Sequence, residues 1–291
     1  MEEDRAAKRD RLIVVTGPTA AGKTAYAIKL AEELGCEIIS ADSRQVYREM
    51  RIGTAVPTEE ELGRVRHHMI QCRSVTEQMN AWDYEQAVMG MLPEVMRRGG
   101  GVAIVCGGSM MYVDAICRGI DEMPTISDGV RRKVSEAMET AGLQHMQEWL
   151  RRLDPEYYAK MDVQNPRRVM HAIEICLESG HTCTSLRLGQ AKERPFEIER
   201  REIMLPRDIL YERIDRRVDD MMAAGLEEEA RGLLPYRELP PLNTVGYREL
   251  FGYFDGDYDL NEAVRLIKRN SRHYAKKQMT WLGRERERDE R

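Results

Sequence analysis

The residues Gly17, Pro18, Thr19, Ala20, Ala21, Gly22, Lys23 and Thr24 read Gly-x-x-x-x-Gly-Lys-Thr. This spacing lets a loop fold its main-chain N–H groups around phosphate oxygens. The lysine ammonium then meets the terminal phosphate, and the threonine hydroxyl meets a magnesium ion held mostly by phosphate and water. A second candidate is Asp42, in the stretch Asp42-Ser43-Arg44-Gln45. Its carboxylate could accept a proton as a general base, although an aspartate placed just after a strand also serves as an Asx turn or helix cap. The third candidate is Cys106-Gly107-Gly108-Ser109. Where a nucleotide hydrolase would hold magnesium and water with a carboxylate, this chain has a thiol, two glycines and a hydroxyl. Such a set suits group transfer without water activation, with Ser109 able to hydrogen-bond a ligand that the glycines let approach the main chain.

These residues need strands and helices to position them. Leu12 to Val15 is a β-branched run, and Lys23 to Leu34 has helical spacing closed by Gly35, so the glycine loop sits between a strand and a helix. Glu37 to Ser40 and Val102 to Cys106 read as further strands, ending at Asp42 and Gly107. Strands alternating with helices imply a P-loop NTPase-like α/β fold, a parallel sheet flanked by helices with ligands off the carboxyl ends of the strands. From Asp128 to Gln190 the spacing is helical throughout. The expected organisation is therefore a charged leader at 1–10, a core at 11–125 and 198–291, and an all-helical insertion at 126–197. Arg201 to Leu205 reads as a strand returning to the core, Asp208 to Ala224 as a helix closed by Gly225, and Tyr247 to Phe254 and Asn261 to Leu282 as the last helices before a charged tail.

Composition bounds the partners. The 291 residues are 42% hydrophobic and 33% charged, and no apolar run approaches the roughly 20 residues of a membrane span. With no signal-peptide core at the start, the cytoplasm is the expected location. The six cysteines form no Cys-x-x-Cys pair, so neither a zinc site nor a disulfide framework is expected. His67 and His68 are adjacent, face opposite sides of a strand, and read as structural. Net charge is −5, yet residues 265–284 hold seven Lys/Arg and no Asp/Glu, and arginine pairs stand at 131/132, 151/152, 167/168, 200/201 and 216/217. A local basic face can thus meet nucleic acid despite the overall sign, unless acidic neighbours balance it.

In order along the chain, GPTAAGKT, IISADSRQVYREMRIGTAVP, HHMI, GGSMMY, NPRRVMHAIE, NTVGYREL and YAKKQMTWL resemble the signature segments of the tRNA dimethylallyltransferases, also called tRNA isopentenyltransferases. The resemblance runs from about Leu12 to Leu282. It implies transfer of a dimethylallyl group from dimethylallyl diphosphate to the exocyclic amine of adenosine 37, 3′ of the tRNA anticodon, with Mg2+ as cofactor. It also implies tRNA as partner through the anticodon stem-loop; no membrane partner and a monomer are the further expectations. By matching position, Thr19 to Thr24 would bind the diphosphate together with Arg217. Asp42 would be the base, and Ser43, Arg44 and Gln45 would touch the flipped adenine and its neighbours. Ser109 stands where the family usually has threonine. Arg131 and the segment Arg167, Arg168, Val169, Met170, His171 match tRNA-contacting positions, with His171 replacing the family's second arginine. The alternatives are prenylation of free adenine nucleotides and a P-loop kinase using ATP or GTP. The arginine-rich helical segments argue against the first, since a mononucleotide needs no such surface.

Overall fold

The computed structural model describes residues 9–187 and 191–289. The first eight residues of the charged leader and the expected end of the helical run at Gln190 lie outside them. The chain divides into two compact units, one made of residues up to 117 and from 193 onward, the other of residues 118–192.

The first unit is built on a parallel sheet of five strands, β1 (Arg11–Thr16), β2 (Ile38–Ser40), β3 (His67–His68), β4 (Val102–Cys106) and β5 (Glu197–Glu202), in the order β3-β2-β4-β1-β5. Its helices are α1 (Lys23–Leu34), α2 (Glu59–Arg64), α3 (Ala81–Arg98) and α4 (Met110–Arg118). After the second unit come α9 (Arg207–Ala223), α10 (Leu226–Gly232), α11 (Tyr247–Asp255) and α12 (Leu260–Asp289). Central strands β1 and β4 are almost wholly buried because helices cover both faces, which is why they read as unbroken apolar runs. Ile13, Val15, Ala27, Ile28, Ile38 and Ile104 form one core cluster that fixes the end of β1 relative to α1.

Two expectations need correction. The returning strand is Glu197–Glu202, not Arg201 to Leu205. It pairs with β1 on one side only, from Arg11↔Glu197 to Thr16↔Glu202, so it lies at the sheet edge and can be polar. Arg11 and Glu199 pair across it at 3.0 Å, and Arg286 of α12 reaches Glu202 at 2.7 Å. The charged tail is helical as well: α12 continues to Asp289, held by contacts such as Arg288–Glu285 at 3.0 Å. The histidines behave structurally, His68 Nε2 lying 2.7 Å from Glu37 and His67 Nδ1 2.8 Å from the Val65 carbonyl. Among the described residues, no helix is long and apolar enough to cross a membrane.

The second unit contains α5 (Asp128–Leu153), interrupted at Gly142 where φ is +72°, then α6 (Pro155–Lys160), α7 (Pro166–Ser179) and α8 (Cys183–Leu186). It has its own core of Val134, Met146, Leu150, Val169, Ile173 and Ile175. Its limits are 118 and 192 where the sequence suggests 126 and 197. The reason lies in two sets of hydrogen bonds. Lys192 N donates to Arg118 O at 2.7 Å within this unit. Arg194, by contrast, belongs to the first unit, where it reaches Ile116 O at 2.9 Å, Ala115 O at 2.6 Å and the buried Glu85 carboxylate at 2.7 Å. All six cysteines are free, as expected, but the fold does bring two together: Cys176 and Cys183 sulfurs lie 4.0 Å apart beside Asp154. The Asp154 carboxylate is occupied there, accepting from Tyr157 N, Thr184 N and the Thr184 hydroxyl.

Candidate active site

The loop Gly17–Thr24 leaves the carboxyl end of β1 and turns into α1. Gly22 adopts φ +95°, a left-handed conformation open to glycine, while Ala20 holds φ +64° without that freedom. Such a conformation costs on the order of 1–3 kcal/mol and persists only where the surroundings fix it. They do here: the Ala21 side chain is buried against Leu210 and Ile214 of α9 and Ala275 of α12. Helix α1 begins with no side-chain cap and no acidic residue in its first turn, so its positive end is open to an anion.

Lys23 Nζ donates to Pro18 O at 2.8 Å. Burial lowers its pKa from the ordinary lysine value, with Arg217 adding to that effect and Asp42 opposing it. Arg217, on α9, is likewise lowered by burial and opposed by Asp42. Two desolvated cations therefore face one carboxylate, an arrangement that favours a bound anion.

Asp42 follows β2. One carboxylate oxygen accepts from Arg44 N at 2.8 Å and Gln45 N at 3.3 Å, so the Asx turn foreseen as the plainer reading does form. Asp42 nonetheless borders two adjoining cavities, of about 430 and 80 Å³, that share Thr19, Asp42, Arg217 and Tyr274 in their walls. Lys23, Thr24 and Gln45 line the smaller one, and Ser43 and Arg44 the larger. The carboxylate and the phosphate-loop residues are thus brought to one place. Gln45 is committed inward: its Nε2 donates to Ala55 O at 3.0 Å and Thr54 O at 3.2 Å, while Oε1 accepts from Ser40 Oγ at 3.0 Å.

Ser109 stands one layer behind the cavity lining. Its hydroxyl accepts from Ser43 N at 2.8 Å and donates to Ser43 Oγ at 3.1 Å. Tyr274 is 38% exposed as a whole, but desolvation of its inward hydroxyl pushes its pKa up to about 12. At the end of β4, burial pushes the Cys106 thiol up to about 11, leaving a neutral group where a nucleotide hydrolase would keep a charged one.

Several cavity residues escaped the sequence reading. Arg248, Asn270, His273 and Lys277 border the larger cavity, and Gln278 borders the smaller. They fall within or near NTVGYREL and YAKKQMTWL, segments whose match to the family was the available signal. The basic stretch on α12 is also less free than its composition suggests. Arg265 pairs with Glu262 at 2.6 Å, Lys268 with Asp219 at 2.6 Å, and Arg272 with Asp215. Acids on α9 and in the first turn of α12 account for these pairs.

In the helical unit, Arg131, Arg167, Arg168 and His171 are exposed, and His171 Nδ1 lies 3.3 Å from Glu174. Val169 does not belong with them. It is fully buried in that unit's core, and Met170 packs against the same core, because residues two apart on a helix face different sides.

A family model described as IPP transferase matches residues 45–286. The chain is 49% identical over 276 residues to "tRNA dimethylallyltransferase 1" of Bacteroides fragilis, covering 95% of this chain and 91% of that protein. Among solved structures, it resembles the full-length tRNA isopentenylpyrophosphate transferase of Bacillus halodurans with a TM-score of 0.67 and 34% identity, covering 94% and 87% of the two chains. A eukaryotic dimethylallyltransferase acting on tRNA shares the fold, with a TM-score of 0.79 at 24% identity over 94% of this chain and 70% of that one. With its glycine loop, post-strand aspartate and parallel sheet, the chain belongs to the IPP transferase family.

Proposed function

We propose that this protein transfers the dimethylallyl group from dimethylallyl diphosphate to the exocyclic amine of adenosine 37 in tRNA. The observation that carries the reading is the shared wall of the two cavities, where Asp42 meets Thr19 and Arg217 next to Lys23. An allylic carbon loses diphosphate readily because the developing cation is delocalised, so the protein's main task is to stabilise the departing anion. Main-chain N–H groups of the phosphate loop, Lys23 and Arg217 do this. The adenine amine is a weak nucleophile, its lone pair spread into the ring, and Asp42 takes its proton as the carbon–nitrogen bond forms and the carbon–oxygen bond breaks.

Thr24 lies in the wall of the smaller cavity beside Lys23, and Cys106 supplies no charge at the end of β4. The Thr24 hydroxyl would hold a magnesium ion carried in with the diphosphate, and the ion would supply positive charge beside the leaving group. To reach the larger cavity the adenine must leave its stack in the anticodon loop, where unstacking is cheaper than in a duplex. Ser43 and Arg44 then contact the base. Exposed Arg131, Arg167, Arg168 and His171 hold tRNA phosphates from the helical unit. The protein acts as a monomer in the cytoplasm.

The test is nucleoside mass analysis of unmodified tRNA after incubation with protein, magnesium and dimethylallyl diphosphate. A five-carbon adduct on adenosine 37 is expected. Prenylation of AMP with tRNA left untouched, or phosphoryl transfer from ATP, would overturn the reading.

A further inference from the structure

Gln278 lies on α12, 259 positions along the chain from the phosphate loop, and is buried there. Its carboxamide makes two hydrogen bonds of opposite sense. Oε1 accepts the Thr19 N–H at 2.8 Å, and Nε2 donates to the Gly108 carbonyl at 2.8 Å. The first contact is to the loop after β1, the second to the turn after β4, and these two strands are adjacent in the sheet. A β-carbon at Gly108 would lie 2.3 Å from Gln278 Nε2, so a side chain there would have to displace this amide.

The turn that Gln278 grips leads on to the acceptor side. Ser109 N donates to Ala41 O at 3.1 Å, and the Ser109 hydroxyl accepts from Ser43 N at 2.8 Å, which fixes the turn carrying Asp42. Hydrogen bonds and short stretches of main chain thus run from Thr19 through Gln278, Gly108 and Ser109 to Ser43, beside Asp42. We infer that Gln278 is a positioning residue that sets the phosphate loop in register with the Asp42 turn, so that the diphosphate and the proton acceptor are held at the separation one reacting carbon requires. It acts through Thr19 and Gly108 and need not touch either substrate.

The side-chain type is demanding. Glutamate keeps an acceptor for Thr19 N–H but, when ionised, turns a carboxylate oxygen toward the Gly108 carbonyl and adds negative charge beside the diphosphate site. Methionine has the length and neither function. Asparagine is a methylene too short to span the two loops.

The inference rests on the reading that Gly17–Thr24 holds the donor diphosphate, so the experiment carries an arm for each. Binding of inorganic diphosphate with magnesium is measured by calorimetry, and steady-state turnover on tRNA is measured with dimethylallyl diphosphate, for the parent protein, Lys23→Ala, Gln278→Met and Gln278→Glu, each with its thermal midpoint. For Gln278→Met we expect diphosphate affinity to fall about tenfold and kcat about ten- to a hundredfold, with KM for tRNA and the thermal midpoint little changed. Gln278→Glu should bind diphosphate more weakly still, and recover relative to the parent as pH falls and its carboxyl can again donate to Gly108. If Gln278→Met melts early, Gly108→Ala, which displaces the same amide without altering α12, carries the test and is expected to show the same losses. Normal donor KM and kcat in both Gln278→Met and Gly108→Ala, with Lys23→Ala still deficient, would overturn this role for Gln278 while leaving the phosphate loop in place. Unchanged diphosphate binding in Lys23→Ala would overturn the loop reading and the inference with it.

Discussion

The phosphate loop and the exposed face of α7 are both proposed to meet phosphates, and they are built in opposite ways. In the loop the main chain does the work: Ala20 and Gly22 hold positive φ angles, Ala21 is locked in the core, and α1 starts uncapped. On α7 the helix start is already occupied, with Asn165 Oδ1 accepting from Arg168 N at 3.3 Å and Pro166 opening the first turn. What remains for a ligand there is the exposed side chains Arg167, Arg168 and His171. A main-chain cradle is all or nothing, because a misplaced loop loses several donors together. A side-chain face spreads its contribution over many contacts, each replaceable at modest cost.

Substitutions should expose that contrast in order of size. Asp42→Asn is expected to lower turnover by about 10² to 10⁴ with circular dichroism unchanged; an unaltered rate would remove Asp42 as the base. Lys23→Ala should cost about 10² to 10³ in kcat/KM for the donor. The same lysine gives a pH signature. Only the ammonium form attracts diphosphate, so affinity is full below its pKa and declines as pH rises through it. Burial has lowered that pKa, so the decline begins at lower pH than for an ordinary lysine, and Lys23→Arg should abolish it in a titration of diphosphate binding.

Effects on the helical face should be smaller. Arg168→Ala is expected to weaken tRNA binding about three- to tenfold, to reduce the salt slope by about 1, and to leave the donor KM alone. Equal losses for donor and tRNA would mean that the two surfaces are not separate in function. His171→Arg should tighten tRNA binding by about twofold, and filter binding at several salt concentrations would read both variants. Val169→Ala should leave the tRNA affinity of the folded protein unchanged while lowering stability by about 1–3 kcal/mol in urea unfolding, as expected of a core valine.

What could be read from the sequence follows the same division. Lys23–Leu34 and Val102–Cys106 match their expected limits because local spacing and buried neighbours act together there. Strand Glu197–Glu202 is hard to place from the sequence because an edge position relaxes the demand for apolar residues. The tail beyond Leu282 looked like free charge, but Arg286 and Arg288 find Glu202 and Glu285. Asp42 and Lys23 could be named from motifs, whereas Gln278 could not: its partners are brought to it by the packing of α12, which no local pattern reports. Val169 is buried although its segment matches tRNA-contacting positions, because a matched segment carries no information about which of its residues face inward; the helical period separates them.

The two margins of the sheet have a consequence for the protein in bulk. One margin is a two-residue strand, His67–His68, and the other is Glu-Ile-Glu-Arg-Arg-Glu. Brevity at one end and a dense mixture of charges at the other leave no apolar ribbon onto which a foreign chain could dock rung by rung, so crowding should not turn this sheet into a seed for fibrous growth.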